Sequence, residues 1–301
     1  MGILETKKEA FHDSFLNNIC RNFSWNFLPA TGTARGIMVG LKASKFHVIN
    51  WDFYSFCVSV KIKNICDSFV WRLVVVYGSP YEQGKQVFID ELHVILDSWD
   101  GPMVFGGDFN LIRESSDKNN GNINYHWAHA FNNWINAGGL IEIKNPTRSY
   151  TWTNNQEEPI MAVLDRVFVT TNFENQYPSV NIRGTPRVGS DHVPIIVELG
   201  INPSQKPYIF RFEKWWLERE EFQNLVAEVW NTQFHCANPL DRWQTKLKLL
   251  RRKIKGWSKN VNGETRKHKR ELLEEFDILD IFSEENLLSP AEKDRMDEIQ
   301  R

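Results

Sequence analysis

The sequence is poor in cysteine and has no C-x-x-C pair. Cys20, Cys57, Cys66 and Cys236 are scattered through 301 residues, which argues against a zinc ribbon or a disulfide framework and suits a reducing compartment. Neither sign of charge is in excess: 36 Lys and Arg stand against 38 Asp and Glu, a formal net charge of -2, so bulk charge names no polyanionic partner. No run of about 18 apolar residues occurs, so no segment reads as a membrane-spanning helix. The opening residues Met1 to Glu9 are charged almost at once and do not read as a signal peptide. Gly2 with Thr6 loosely fits a myristoylation pattern, but Ile3-Leu4 reads better as the tail of a buried strand.

What is present is ordinary globular composition, 42% hydrophobic and 25% charged, at a length that suggests about two structural units. Ile3-Leu4-Glu5-Thr6 reads as a strand end before a polar segment, Lys7 to Asn18. Gly32-Thr33-Ala34-Arg35-Gly36 is a small-residue loop. Tyr54, Phe56, Val58, Val60 and Ile62 alternate with Ser55, Ser59, Lys61 and Lys63, which predicts a strand with one buried and one wet face. Leu73 to Tyr77 is continuously apolar, a strand covered on both faces. Phe88, Leu92, Ile95, Leu96 and Trp99 have helical spacing, so a helix is predicted from about Gln83 to Ser98. A second runs from about Tyr125 to Asn136, stopped by Gly138-Gly139. Tyr150 to Thr153, Val163 to Val169 and Val193 to Leu199 are β-rich. Helices do not stand between every pair of strands, so the reading is an α/β sandwich with mixed sheets ending near Leu199.

Beyond Asn202-Pro203 the character changes. Phe210, Phe212, Trp215, Trp216 and Leu217 form an aromatic cluster, and Trp243, Leu247, Leu250, Ile254 and Trp257 repeat at helical spacing. Arg242 to Arg270 carries twelve Lys and Arg against Glu264 alone, and Glu271 to Arg301 carries eleven acids against three bases. With Gly263 between them, the expectation is two helices folded as a hairpin, largely separate from the sandwich, with the apolar stripes supplying most of the stability. A nucleic-acid contact through the basic arm is the other reading.

The chemistry centres on Met103-Val104-Phe105-Gly106-Gly107-Asp108-Phe109-Asn110. In a continuing strand Asp108 and Asn110 share a face, so a carboxylate and an amide would meet in one pocket. The glycines would let backbone or phosphate approach closely. Four further fragments follow the same theme: Glu5 at a strand end, Tyr77 closing the Val74 strand, Asp165 in Val163-Leu164-Asp165-Arg166, and Ser190-Asp191-His192. Each has a structural explanation as turn, packing or local ion pair. Their order along the chain resembles the endonuclease/exonuclease/phosphatase superfamily. The nearest resemblance is to the endonuclease domain of plant LINE-type (non-LTR) retrotransposon proteins. It rests also on Leu4-Glu5-Thr6-Lys7, on Val76 to Pro80, on Thr151-Trp152-Thr153-Asn154, and on Phe210 to Trp216, which is similar to the connector toward a reverse transcriptase.

That resemblance implies a four-layer α/β/β/α sandwich over residues 1–200 and a helical connector over 201–301. It implies Mg²⁺, or Mn²⁺, held by Glu5, and DNA as substrate. By the same resemblance Asp108 activates the attacking water, Asn110 orients the phosphate, Asp191 polarises His192, and His192 contacts the scissile phosphate. Asp165 supports this cluster and Tyr77 hydrogen-bonds to it. The family begins with a strand bearing an Asn, then a helix, then the strand that ends in Glu. This chain starts at the end of that second strand, so the first strand and helix are expected to be missing. It also stops before any reverse transcriptase. The loop at Gly32 has Thr33-Ala34-Arg35 where relatives have more glycine. Two functions follow, a metal-dependent DNA-nicking endonuclease or an inactive remnant that at most binds nucleic acid or a partner. A phosphatase or phospholipase of the same fold is a third.

Overall fold

The computed structural model describes residues 1–31, 34–200, 212, 214–234 and 238–301. Gly32 and Thr33 of the small-residue loop, Phe210 to Arg211 and Glu213 of the aromatic connector, and Cys236 lie outside the described residues. The chain divides into two compact units, Met1–Ile201 with Leu279–Arg301, and Asn202–Ile278.

The first unit is built on a six-stranded sheet. Its strands are β4 (Phe46–Phe53), β5 (Cys57–Asn64), β6 (Val70–Tyr77), β7 (Met103–Asp108), β11 (Asp165–Val169) and β8 (Ile141–Glu142), in that spatial order. Only the β6–β7 pair is parallel, so the sheet is mixed. A three-stranded sheet orders β1 (Gly2–Leu4), β3 (Ala34–Lys42) and β2 (Phe23–Thr31). Two hairpin-like pairs complete it: β9 (Trp152–Thr153) with β10 (Met161–Ala162), and β12 (Asn181–Gly184) with β13 (Ile195–Glu198). The helices are α1 (Asp13–Ile19), α2 (Glu82–Asp97), α3 (Tyr125–Ala137) and α4 (Thr171–Gln176). This is the expected mixed α/β sandwich, sheet on sheet with helices outside, and helices follow it in the chain.

The apolar spacing dictates which face is covered. Phe88, Ile89, Leu92 and Ile95 of α2 and Phe131, Trp134 and Ile135 of α3 are buried against Val74, Val76, Phe105 and Phe168 of the sheet. Each such side chain contributes about 1.5–3 kcal/mol of hydrophobic stabilisation. Val58 and Val75, facing the other way, meet Ile37 and Val39 of β3. The prediction of two covered faces for the Leu73–Tyr77 run therefore holds. The wet face expected for β5 holds only at its ends, where Ser55 and Lys63 are exposed. Cys57 and Ser59 are fully buried, and Lys61 lies 4.6 Å over the Trp99 ring. The α2 layer covers that face, and a strand's own alternation does not show what is laid across it.

Gly107 is where sequence and packing are tightest. Its φ is +143°, and a Cβ there would stand 2.1 Å from the Val76 carbonyl oxygen of the parallel neighbour β6. Gly107→Ala is thus expected to cost at least about 2 kcal/mol, since rigid backbone and not a side chain must give way; a urea midpoint within error of wild type would refute this.

The second unit holds α5 (Glu220–Asn231) and most of α6 (Pro239–Phe282). Trp216 and Phe222 pack on Ile254 and Trp257, with the Trp216 and Trp257 rings 5.6 Å apart edge to face. The expected hairpin bend at Gly263 is absent, because α6 is one 44-residue helix that runs through it. A glycine in a helix costs only about 1 kcal/mol and does not by itself break the ladder of hydrogen bonds. The short α5 is what packs against the basic stretch, Lys253 pairing with Glu228. Gly256 has open space where a Cβ would sit. Gly256→Ala should therefore raise helix stability by about 0.5–1 kcal/mol, seen as a later loss of helical circular dichroism in urea. The final helix, α7 (Pro290–Gln300), opens with a Ser289–Glu292 capping box and belongs to the first unit, as does the end of α6 from Leu279.

Candidate active site

Strand register brings three of the expected residues into one row. Tyr77 of β6 pairs with Asp108 of β7, and Asp108 pairs with Asp165 of β11. Residues directly opposite on neighbouring strands stand about 5 Å apart, so two carboxylates face each other at the sheet's end. Asp108 is only 2% exposed.

His192 answers that concentration of negative charge. Its Nδ1 lies 2.8 Å from Asp165 Oδ2, and its Nε2 lies 4.0 Å from Asp108 Oδ2. Glu5 follows β1 at φ +52°, a left-handed conformation that costs a non-glycine residue about 1 kcal/mol or more. Its Oε1 accepts the Tyr77 hydroxyl at 2.8 Å. Asp191 acts on His192 through its charge and not through a hydrogen bond: its Oδ2 accepts the Trp152 indole N–H at 3.0 Å, and the ring is held by Asp165. Asn110 does not continue the strand. β7 ends at Asp108, Asn110 turns left-handed at φ +51°, and its amide donates to Asp108 Oδ2 at 2.8 Å and to the Gly78 carbonyl at 3.0 Å. Its amide donors are thus spent within the protein, on Asp108 and on the Gly78 backbone. A cavity of about 860 Å³ is lined by Glu5, Tyr77, Asp108, Asp165, Asp191 and His192, together with apolar side chains such as Leu4, Leu73 and Val167. Asn110 is the one expected residue that does not line it.

The electrostatics follow from this crowding. Burial, and then the charge of Asp165, push Asp108 up from 3.8 to about 7 against the attraction of His192. Burial acts to lower His192, but the hydrogen bond and charge of Asp165, with Asp108 and Asp191 adding, raise it to about 9. Burial and then the Glu5 hydrogen bond raise the Tyr77 phenol, so it remains a donor at neutral pH.

Glu5, Asp108 and His192 each place one possible ligand atom within 4.8 Å of the others. The two carboxylates suit a hard divalent cation that keeps several waters. The imidazole suits it less, because it is held protonated. The donor set therefore fits a cation on Glu5 and Asp108, beside His192.

Residues 1–192 match the sequence profile described as Endonuclease/Exonuclease/phosphatase family. The chain belongs to that family. Among solved structures, the family fold is shared with an AP endonuclease from Archaeoglobus fulgidus, at 16% identity and TM-score 0.52 over 66% of this chain and 88% of that one. It is shared with a Neisseria 3' phosphatase, NExo, bound to a product DNA hairpin, at 15% identity and TM-score 0.50 over 65% and 87%. The endonuclease domain of TRAS1, a telomere-specific non-LTR retrotransposon, aligns at 16% identity and TM-score 0.49 over 62% and 83%. No curated protein matches the chain.

The surroundings of the site hold two residues of the quoted motifs to which the sequence assigned no role in the site. Thr151 Oγ1 accepts the backbone N–H groups of Leu164 and Asp165 at 3.0 and 2.9 Å. Arg166, one residue on and so facing the other way, is buried on Asp117 at 2.6 Å and Glu142 at 2.5 Å. Asp165-Arg166 is thus not a local ion pair, since each member serves a different face of β11.

Proposed function

We propose that this chain is a divalent-cation-dependent phosphodiesterase that nicks DNA, of the type found in plant LINE (non-LTR) retrotransposons. The observation that carries the reading is the arrangement of buried Asp108 with half-buried His192 and Asp165, in which one carboxylate sits at about 7 and the imidazole at about 9. A base poised near the working pH and an acid that stays protonated are what hydrolysis of a phosphodiester requires. Asp108, ionised at mildly alkaline pH and held by Asn110, takes the proton of the attacking water. His192, its Nδ1 held by Asp165, directs Nε2–H at a non-bridging phosphate oxygen, where negative charge grows in the transition state. Tyr77 orients Glu5. A Mg²⁺ or Mn²⁺ ion on Glu5 and Asp108 would supply further positive charge to the same oxygens.

The motif order, with Leu4-Glu5-Thr6-Lys7 and Thr151-Trp152-Thr153-Asn154, supports DNA as substrate and the retrotransposon type. Residues 201–301 are read as the helical connector that leads toward a reverse transcriptase in such proteins. The test is nicking of supercoiled plasmid by the purified chain. Relaxed circles are expected with Mg²⁺ or Mn²⁺ and none with excess EDTA. A folded chain that nicks with neither ion would leave the inactive-remnant reading in its place.

A further inference from the structure

A second cluster of charge is buried away from the cavity. Asp280, in the last turn of α6, is 0% exposed. Its Oδ2 accepts Arg148 Nη1 at 2.7 Å, and its Oδ1 accepts Arg187 Nε at 2.6 Å. Glu284, one turn later, accepts Arg148 Nη1 at 3.3 Å and the Ser149 backbone N–H at 2.9 Å. All these residues belong to the first compact unit. Burying four charges is costly, and an apolar cluster of the same volume commonly stabilises a fold as well. What an ion cluster adds is direction: a carboxylate with both oxygens engaged fixes two guanidinium groups relative to each other.

The two arginines come from the two segments that carry the site. Arg148 leads into Thr151-Trp152-Thr153, and Arg187 leads into Ser190-Asp191-His192. Beyond Asp280 these segments are laced together. Val193 N donates to Thr151 O at 2.8 Å, Thr153 N donates to Asp191 O at 3.1 Å, and the Trp152 indole donates to Asp191. Thr151 in turn holds the backbone of Asp165. One carboxylate therefore grips both arms of the frame in which Asp165 meets His192.

We propose that Asp280 is a positioning residue, which clamps Arg148 to Arg187 and thereby sets the Asp165–His192 geometry of the cavity. The activity arm of this proposal rests on the phosphodiesterase reading, while its structural arm does not. In the full-length chain, Asp280→Asn should lower the kcat of plasmid nicking about tenfold or more, because small misplacements of reacting groups are expensive. KM for plasmid should stay within about twofold, since Asp280 lies outside the cavity. The Trp152 indole N–H resonance, assigned with Trp152→Phe, should move and lose its protection from hydrogen exchange. A folded Asp280→Asn protein with wild-type kcat and an unmoved Trp152 resonance, whatever its melting temperature, overturns the proposal. If Asp280→Asn does not fold, Arg187→Gln leaves the Arg148–Asp280–Glu284 contacts intact and must show the same two changes; wild-type values there overturn it equally. If the wild-type chain nicks no DNA, the phosphodiesterase reading falls and the Trp152 resonance alone decides the clamp.

Discussion

Asp108→Asn is expected to abolish nicking and, in cation-free buffer, to raise the melting temperature. The two effects have one cause. Asp108 is buried opposite Asp165, and its carboxyl is raised from 3.8 to about 7. Between those values the folded chain binds the proton more tightly than the unfolded chain does. Stability therefore falls as pH rises from about 4 to about 7, and above that the ionised carboxylate is held at a cost. An amide of the same shape removes the charge and the repulsion, so at pH 8 the variant should melt higher than wild type, and its stability should vary less between pH 4 and 7. It can no longer accept a proton. Loss of a general base commonly costs about 10²–10⁴-fold in rate, and plasmid nicking by Asp108→Asn should fall by that much. A variant that nicks within tenfold of wild type would place the base elsewhere. One that melts lower at pH 8 would show that the carboxylate is better paired than its surroundings suggest.

Much of the site was legible because its residues end strands whose own patterns are strong. The Leu73–Tyr77 run and the Met103–Asp108 stretch specify buried neighbouring strands, and once they lie side by side Tyr77 and Asp108 must share a row. The partner of His192 was not legible from adjacency. Asp191 precedes it in a bend, and its carboxylate is taken by the Trp152 indole. The hydrogen-bond partner of the ring comes instead from β11 through the register Asp165 to Asp108. Asn110 was misplaced because the strand stops at Asp108 and the backbone turns left-handed.

The long helix carried its own signal. Trp243 and Leu279 are 36 residues apart, about ten turns at 3.6 residues per turn, so the apolar stripe keeps its phase straight through Gly263. A bend would have had to reset it. The Asp280 clamp was invisible for a different reason. Arg148, Arg187 and Asp280 are separated by as many as 132 residues, and no local period links them. Only the folded chain shows that a residue within the acidic run is buried on two arginines.

The last expectation concerns pH. Nicking should follow a bell, rising as Asp108 ionises and falling as His192 loses its proton near 9. Positive charge bound at the site loosens the Asp108 proton, so the rising limb should lie at or below about 7. Asp165 sets the falling limb, because its hydrogen bond and charge lift His192 above its ordinary 6.5 against burial. The sign for stability is the reverse of that for Asp108. A raised imidazole stabilises the fold fully below about 6.5, and that contribution is lost as pH rises through about 9. In Asp165→Asn the support is gone and burial opposes the charge, so His192 should titrate back toward 6.5. The falling limb then moves down toward the rising one, and activity at pH 8 should drop by about 30-fold, the ratio of protonated imidazole at about 9 to that at 6.5. Two measurements check this: the imidazole titration by NMR in cation-free buffer, and kcat/KM for plasmid against pH. An Asp165→Asn protein whose imidazole still titrates near 9 would show that the His192 charge is set by Asp108 and Asp191, and that the 2.8 Å contact with Asp165 orients the ring without tuning it.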